Sequence, residues 1–461
     1  MIGVVGGTLS GLAAAAQLVR DGYEVRVFEP SDEPELGDPH AARPLSVSRP
    51  RDEPALETLA ALGLAERLEW VPIRTAMYAD GAVHPVDAPW EFLAYPPLSL
   101  GDTTRLSTLR SGIDVRGFPR RRPRFDAYDP DAYAAVPAEQ FVRRHAGDAV
   151  YDRFYGPLLE ARFGDLAPRV SAAWVLEHCR GERERTRFGR ELRGFLPGGS
   201  STLVDALCEA IGRERIETGV RVVDLERKSG SGALEAITLE REGSRERLSV
   251  DGVVLATDDD GVLETVGTDR SSVPVRTRTC LRVSTTATEP LTNAARVTMV
   301  DDAPFGELVT PPVTDVGDRG GHASRQCYLL DGGEAADAGH DERTVERRWL
   351  EALADRFAAF DRNDLTGVDC VRIRQPVPVA RPAAETTPVD DAEDGDRDPL
   401  VPAGSPAAIT DGVYDVSAVR QRQFPERSAG GALEAGRRCA IALETGRDAA
   451  SASKRVNSVT H

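Results

Sequence analysis

The first thirty residues constrain the fold of this chain more than any other segment. A short apolar run from Ile2 to Val5 precedes a glycine-containing turn at residues 6–11, and an alanine-rich segment follows the turn. A second run, from Glu24 to Glu29, alternates polar and apolar residues and ends in an acid. The two runs predict strands, and the alanine-rich segment between them predicts a helix. This is the order of a βαβ unit, in which both strands lie parallel in one sheet.

The turn at residues 6–11 has the spacing of a dinucleotide-binding fingerprint. Gly6 lets the chain leave the strand sharply, and Gly11 lets the helix pack close to the sheet. The first N–H groups of such a helix lack a carbonyl partner within it and face a pyrophosphate. Glu29 follows Gly6 at close to the ~20 residues expected of a carboxylate that binds a ribose hydroxyl. The cofactor-binding candidates of this unit are Gly6, Gly7, Thr8, Ser10, Gly11 and Glu29.

Thr8 departs from the fingerprint, which has glycine at this position. The middle glycine normally lets the backbone approach the phosphates closely. A threonine there either shifts the dinucleotide or lends its hydroxyl as a donor. A βαβ unit with a tight turn and no nucleotide remains the alternative.

Charge and cysteine usage exclude several classes of function. The net charge is −18, and only Lys228 and Lys454 are lysines among 57 basic residues. Such an acidic surface repels phosphates, which argues against nucleic-acid binding, and fits a halophilic protein in a salt-rich cytoplasm. The six scattered cysteines form no CxxC pair and lie near no histidine cluster, which predicts reduced thiols and no metal site.

Hydropathy along the chain predicts a cytoplasmic protein. No segment reaches the roughly 18 apolar residues of a membrane span. The sequence begins directly with the first strand and lacks the basic region of a signal peptide. A peripheral membrane contact stays open, and the oligomeric state is not predicted.

Four later segments complete the pattern. They are two apolar strands, an aromatic segment and a glycine pair before a C-terminal helix: Val222-Val223-Asp224-Leu225, Val253-Val254-Leu255-Ala256-Thr257, Tyr151-Asp152-Arg153-Phe154-Tyr155 and Gly430-Gly431-Ala432. With these segments and the N-terminal βαβ unit, the chain resembles the flavin-containing amine oxidase superfamily, and most of all its protoporphyrinogen oxidase and phytoene desaturase branch.

The resemblance implies an α/β fold with FAD as cofactor. A Rossmann-like, doubly wound FAD-binding domain would carry a second α+β substrate domain, made of a mixed sheet and helices. The implied FAD-binding domain is discontinuous, at residues 1–74, 190–270 and 412–448. The implied substrate domain covers 75–189 and 271–380, and composition adds an acidic mobile insertion at 381–411 and a disordered tail at 449–461.

The same resemblance assigns further cofactor contacts. The backbone of Val222 would read the adenine, and the helix start at Gly430-Gly431 would stabilise the negative N1–C2=O edge of a reduced flavin. The remaining contacts implied by the resemblance are Arg43, Ala256, Asp415 and Ala432.

Two family motifs are altered. The family usually has a Gly-Gly-Arg turn after the ribose acid, whereas Gly37 stands alone here and Arg43 is the nearest arginine. The family also has Gly-Asp in the segment before the C-terminal glycine pair and helix, whereas Asp415 has no glycine before it. With Thr8, three cofactor contacts differ from the usual pattern.

The rare lysines bear on the reaction. Amine oxidases of this superfamily use a lysine, through a water, against the flavin N5. Lys228 lies in a polar hairpin and Lys454 in the tail, so a simple amine oxidase is the least favoured member. The predicted substrate pocket contains Tyr95, Phe154, Tyr155 and Arg374, and no catalytic residue is assigned.

The predicted function is that of a FAD-dependent oxidoreductase acting on a small molecule. It would accept a hydride from an apolar substrate of tetrapyrrole or isoprenoid type. One alternative is a non-redox flavin enzyme similar to UDP-galactopyranose mutase, and another is a flavin-free scaffold or binding homologue. The arginine run at residues 116–124 either clamps an anionic ligand or is a solvated loop.

Overall fold

The computed structural model describes most of the 461-residue chain. The described residues are 1–32, 45–48, 53–111, 113–114, 122–123, 130–183, 191–228, 234–257, 262, 274–287, 289–311, 325–332, 341–380, 408–410, 412–417 and 429–443. Arg43, the arginine run at 116–124 except residues 122–123, the predicted tail and all of the predicted insertion except 408–410 lie outside them.

The described strands are short, apart from two long ones in the second half of the chain. In chain order they are β1 (Ile2–Val5), β2 (Val25–Glu29), β3 (Ser46–Ser48), β4 (Glu69–Ile73), β5 (Thr75–Ala79), β6 (Ala82–Pro85), β7 (Ile113–Asp114), β8 (Arg122–Pro123), β9 (Glu191–Phe195), β10 (Ile216–Thr218), β11 (Arg221–Arg227), β12 (Leu234–Arg241), β13 (Ser244–Ser249), β14 (Gly252–Leu255), β15 (Val275–Thr285), β16 (Arg296–Met299), β17 (Glu307–Val309), β18 (Arg325–Leu330), β19 (Leu365–Pro376), β20 (Ala408–Thr410) and β21 (Val413–Asp415).

The described α-helices fall between these strands. They are α1 (Leu9–Arg20), α2 (Glu53–Ala61), α3 (Pro89–Leu93), α4 (Leu100–Ser111), α5 (Ala138–Ala146), α6 (Asp148–Val150), α7 (Gly156–Phe163), α8 (Ala172–Arg183), α9 (Gly199–Ile211), α10 (Glu342–Arg356) and α11 (429–443). A π-helical turn, Tyr151–Tyr155, joins α6 to α7. Short 3₁₀ turns occur at Ala65–Arg67, Pro130–Tyr133, Gly164–Arg169, Arg213–Arg215 and Arg362–Asp364.

A six-stranded sheet contains the N-terminal βαβ unit. Its order is β10-β2-β1-β14-β21-β20, and all neighbours are parallel except β20, which runs antiparallel to β21. β14 and β21 therefore extend the sheet beyond β1, although they come from the middle and the end of the chain. Ala408–Thr410 belongs to this sheet, so these three residues of the predicted insertion are instead part of the fold.

Both faces of the six-stranded sheet are buried. Val4 and Val254 face one core, which α1, α9 and α11 cover, whereas Val5, Val253 and Leu255 face the other. A three-stranded antiparallel sheet, β11-β12-β13, covers this second face. The predicted Rossmann-like α/β fold is confirmed, with an antiparallel sheet as the covering layer on one side.

A seven-stranded mixed sheet forms the centre of the rest of the molecule. Its order is β19-β15-β18-β17-β16-β5-β6, in which β16 and β5 are the parallel pair. The hairpin at its edge turns through Asp80 and Gly81, an Asp-Gly pair that predicts such a turn from sequence. Both residues have positive φ, as a two-residue hairpin loop requires. Trp349 and Leu353 of α10 pack on one face of the sheet, and helices α4 to α8 cover the other. The mixed sheet with its helices confirms the α+β character predicted for this part, whereas the exact division into two domains stays a prediction.

Candidate functional site

The carboxyl ends of four parallel strands meet at one edge of the six-stranded sheet. β1 lies between β2 and β14, and β21 lies next to β14. The strand order therefore changes direction at β1, and a crevice outside the carboxyl ends of such strands is where open α/β sheets bind ligands. The residues at this edge are the 6–11 turn after β1, Glu29 at the end of β2, residues 256–257 after β14 and residues 416–417 after β21.

The 6–11 turn has its conformation because two positions carry no side chain. Gly6 has a φ of +105°, and a Cβ there would lie 2.6 Å from the Ala256 carbonyl oxygen. A Cβ on Gly11 would lie 2.4 Å from the Gly6 carbonyl oxygen and 2.7 Å from the Ala256 Cβ. Both contacts are shorter than real Cβ atoms tolerate, so these glycines let the turn and α1 seat directly on the end of β14.

Thr8 is the N-cap of α1, with φ −69° and ψ 163°. Its Oγ1 accepts a hydrogen bond from the Gly11 N–H at 3.4 Å and donates one to the Ala256 carbonyl oxygen at 3.0 Å. The hydroxyl that replaces the middle glycine is thus bonded to protein, and it ties the start of α1 to the end of β14.

Glu29 lies beside the turn, at the end of β2, and is 7% exposed. One carboxylate oxygen accepts from the Gly7 N–H at 2.6 Å and the other from the Ser31 N–H at 2.9 Å. Each oxygen has a second lone pair, so Glu29 can also accept from a ribose hydroxyl. Its role in cofactor binding stays a prediction, and the structure supplies the placement that this role needs.

Val222 lies in β11, close to the end of β2. The Val220 N–H donates to the Glu29 carbonyl oxygen at 3.0 Å, and the Gly219 N–H donates to the Ser31 carbonyl oxygen at 3.1 Å. These bonds bring the start of β11 alongside Glu29. Val222 itself is buried and is followed by a register irregularity in the pairing with β12.

Residues 415–417 approach α1 directly. The Ser10 Oγ donates to the Val416 carbonyl oxygen at 2.9 Å, and the Ser417 N–H donates to the Asp415 Oδ1 at 2.8 Å. Asp415 is buried at the end of β21, and its contact with the cofactor stays a prediction. Ser417 is 1% exposed, and its hydroxyl has no hydrogen-bond partner among the described residues. Ser417 is not among the cofactor contacts predicted from the sequence.

The described part of the last helix, α11, has its N-terminal end on the side of this same edge. A Cβ on Gly252, at the start of β14, would lie 4.0 Å from the Leu443 Cδ1, so α11 ends near the opposite edge of the sheet. A Cβ on Gly436 would lie 2.5 Å from the Ser10 carbonyl oxygen. α11 therefore crosses α1 in close contact.

The predicted contacts Gly430, Gly431 and Ala432 lie near the start of the described part of α11, and all three are buried. The helix already includes the glycine pair, whereas the sequence predicted that it would start after them. Cys439, further along, is buried near Asp415, and this burial and the carboxylate raise the pKa of its thiol to about 12. The neutral thiol packs as an apolar group.

Comparison with known proteins assigns the family. A sequence profile described as flavin-containing amine oxidoreductase matches residues 44–274, which is half of the chain. The chain belongs to this family. A second profile, for NAD(P)-binding Rossmann-like domains, matches residues 4–34 of this family member. The comparison with curated proteins gives no match.

Solved structures share the fold along nearly the whole chain. A candidate protoporphyrinogen oxidase from Exiguobacterium sp. 255-15 is 13% identical, with a TM-score of 0.67 over 96% of this chain and 98% of that chain. Cyclohexylamine oxidase from Brevibacterium oxydans IH-35A is 16% identical, with a TM-score of 0.62 over 97% and 99%. A putrescine oxidase bound to putrescine is 14% identical, with a TM-score of 0.61 over 96% and 98%.

This family member is a FAD-dependent oxidoreductase, and the predicted cofactor is thereby confirmed. The residues at the sheet edge fit an adenine dinucleotide on two observations. The glycines of the 6–11 turn leave backbone where side chains would block an approach, and Ser417 presents a buried hydroxyl without a partner among the described residues. Glu29 and the starts of α1 and α11 adjoin the same edge. The individual contacts stay predictions.

The predicted substrate residues lie in a different part of the molecule. Tyr95, Phe154 and Tyr155 are fully buried in the core beneath α4 to α8. The Tyr95 hydroxyl donates to the Arg153 carbonyl oxygen at 3.1 Å, and burial raises the pKa of Tyr95 far above its ordinary value. Arg374 lies in β19, opposite Thr277 of β15, and its side chain lies outside the described part. Whether these residues contact a substrate stays a prediction.

A cleft of about 610 Å³ opens between α7, the β16–β17 connection and α10. Its charged lining is mostly acidic and consists of Glu160, Asp301, Asp302, Asp331, Glu351 and Asp355 with Arg348 and Arg356. None of the predicted pocket residues lines it. Among the described residues, no group of His, Cys, Asp and Glu could hold a metal ion, and no helix has the length and apolarity of a membrane span.

Proposed function

We propose that this enzyme oxidises an apolar substrate of tetrapyrrole or isoprenoid type by hydride transfer to FAD. The proposal refines the family activity, which leaves the substrate open. It is carried by one observation, the location of the two lysines. Lys228 is exposed at the end of β11, in the layer that covers the six-stranded sheet, and Lys454 lies outside the described residues.

The missing lysine matters because of the chemistry that an amine substrate needs. An amine is protonated near neutral pH, and its nitrogen must lose a proton before a hydride can leave the adjacent carbon. The seven-stranded sheet and its helices contain no lysine among their described residues. A hydrocarbon or tetrapyrrole donor has no ammonium proton to lose before the hydride leaves, and the cation that remains releases a C–H or N–H proton to solvent afterwards. The protein then has to position the donor and to exclude water from the hydride transfer itself.

The described residues support both of these tasks. When bound, FAD supplies the hydride acceptor. At the sheet edge, Gly6 and Gly11 leave room for a ligand to approach the backbone closely, and the proposal is that Glu29 orients the ribose of FAD. Phe92, Tyr95 and Phe154 pack against one another in a core that is closed to water, and the proposal is that this core borders the substrate.

Anaerobic mixing of the flavin-loaded enzyme with candidate donors tests the proposal. We expect the visible flavin absorbance to bleach with a porphyrinogen or with a polyene precursor, and to persist with putrescine and cyclohexylamine. Faster bleaching by either amine would contradict it. Conversion of UDP-galactopyranose by the chemically reduced enzyme would favour the non-redox alternative instead.

Lys228→Met is the matched control for this experiment. Because Lys228 is exposed and lies in the covering sheet, we expect the bleaching rate with the accepted donor to stay unchanged. A large loss of rate in Lys228→Met, with retained flavin, would show that a lysine acts in the reaction and would overturn the argument.

A further inference from the structure

Ser417 carries a buried hydroxyl that the described residues leave without a hydrogen-bond partner. The residue is 1% exposed, and its Oγ has no hydrogen-bond partner within the described parts of the chain. Buried polar groups are nearly always hydrogen-bonded, because an unmade bond costs the desolvation of the group. A hydroxyl buried in this way calls for a partner that is bound rather than built in.

The surroundings of Ser417 indicate the charge of that partner. The Ser10 Oγ donates to the Val416 carbonyl oxygen, which holds the neighbouring residue against the first turn of α1. α1 has 12 residues, and its N-terminus carries the partial positive charge of the helix dipole. An anion is therefore the favoured partner at this point.

Asp415 does not compete for this role. Its Oδ1 accepts the Ser417 N–H at 2.8 Å, so the carboxylate is engaged with the backbone of the same short segment. A carboxylate also repels an anion, whereas a neutral hydroxyl can donate to one. Of the two side chains, Ser417 is the donor that remains.

We propose that Ser417 is a cofactor-binding residue whose Oγ donates a hydrogen bond to a pyrophosphate oxygen of FAD at the start of α1. It stands two residues beyond the carboxyl end of β21, at the edge where the 6–11 turn and Glu29 also lie. The assignment rests on the family's cofactor and is independent of the proposed substrate. The assignment also gives the 415–417 segment a contact with the cofactor. The sequence of this segment lacks the family's Gly-Asp and did not predict that contact.

Ser417→Ala in the full chain, stripped of flavin and titrated with FAD and separately with ADP, tests the proposal. ADP shares the pyrophosphate with FAD but lacks the ribityl chain and the flavin. We expect both dissociation constants to rise by roughly tenfold to a hundredfold, the range for a hydrogen bond to a charged group. We expect the melting temperature of the flavin-free protein to stay equal or to rise, because an unsatisfied hydroxyl is removed.

Ser10→Ala is the matched control. Its hydroxyl is buried close by but is already bonded to the Val416 carbonyl oxygen, so its removal should lower the melting temperature of the flavin-free protein. Ser417→Thr keeps a hydroxyl and should retain more of the ADP affinity than Ser417→Ala does.

Each other outcome overturns the assignment. Weaker FAD binding with unchanged ADP binding would place the contact outside the pyrophosphate. Unchanged affinity for both ligands would remove the contact, and a lower melting temperature of flavin-free Ser417→Ala would show that the hydroxyl has a structural partner. Failure of the wild-type chain to bind either ligand would refute the site itself, whatever its substrate.

Discussion

Thr8 shows how one side chain can replace the freedom of a glycine with bonds. Its hydroxyl accepts from the Gly11 N–H and donates to the Ala256 carbonyl oxygen. A glycine in its place would make neither bond, although it would let the backbone come closer to a phosphate. Thr8 therefore fixes the start of α1, whereas a glycine would let the backbone come closer to a phosphate.

Thr8→Val should destabilise the flavin-free protein by about 1–2 kcal/mol, since it keeps the shape but loses the cap and the bond to Ala256. The free energy of unfolding from urea titrations measures this. Thr8→Ser retains the hydroxyl and should stay within about 0.5 kcal/mol of the wild type. Equal stability of the valine and serine variants would show that the hydroxyl contributes nothing.

At the residue scale, sequence predicted what depends on local spacing. Gly6, Gly11 and Glu29 follow from the order strand, turn, helix, strand, and the structure places them together at one edge. Ser417 could not be found in this way, because its significance depends on β21 lying two strands from β1 across a gap of four hundred residues. Tyr95 and Tyr155 show the converse difficulty, since aromatic residues have the same pattern in a pocket and in a core.

The contact between α1 and α11 is the main element-scale feature of the site. The two helices pack against each other beside the sheet edge, although they come from opposite ends of the chain. Gly436 makes the crossing possible, because a Cβ there would lie 2.5 Å from the Ser10 carbonyl oxygen and 2.7 Å from the Ala14 nitrogen. Both of these atoms belong to the α1 backbone, which cannot move aside as a flexible side chain can.

Gly436→Ala should therefore destabilise the protein by about 1–3 kcal/mol, even though alanine favours a helix more than glycine does. It should also weaken FAD binding, because α1 must shift away from α11. Denaturant titrations and flavin titrations measure the two effects.

Gly101→Ala is the control for that prediction. Its Cβ would have only the Ser99 Oγ nearby, at 3.7 Å, so the substitution should leave stability unchanged or raise it by up to about 1 kcal/mol. A stable Gly436→Ala variant with unaltered FAD binding would mean that the helices tolerate separation.

Sequence predicted elements with a local signature better than those without one. The Asp-Gly turn predicts the β5–β6 hairpin, and the apolar spacing of residues 343–360 predicts a helix there. The structure has the hairpin, and it has α10 at Glu342–Arg356. β9 was missed because Glu191–Phe195 is short and carries two charges and a glycine, and its strand character comes from pairing with β3 and β4. Partners that are distant in the sequence leave no trace in a local period.

At the scale of the whole molecule, charge is the dominant property. A net charge of −18 makes the folded state repel itself, and the acidic cleft beside α10 concentrates that repulsion in one place. Dissolved salt screens charges that are separated by more than roughly 3 Å at molar concentration and by roughly 10 Å at 0.1 M. The stability of this protein should therefore depend on salt through its surface and not through its core.

We expect the free energy of unfolding in urea to rise from dilute to molar KCl, and to rise less for the double variant Glu351→Gln, Asp355→Asn. Both acids line the cleft, so their removal relieves like-charge repulsion and should raise low-salt stability by about 0.5 kcal/mol each. Glu214→Gln with Glu246→Gln changes the net charge equally at exposed positions outside the cleft, and its salt dependence should lie nearer the wild type. Sucrose in place of KCl should leave the difference between the variants intact, because excluded solutes favour burial without screening charge. A wild-type stability that is indifferent to KCl would contradict the halophilic character inferred from composition.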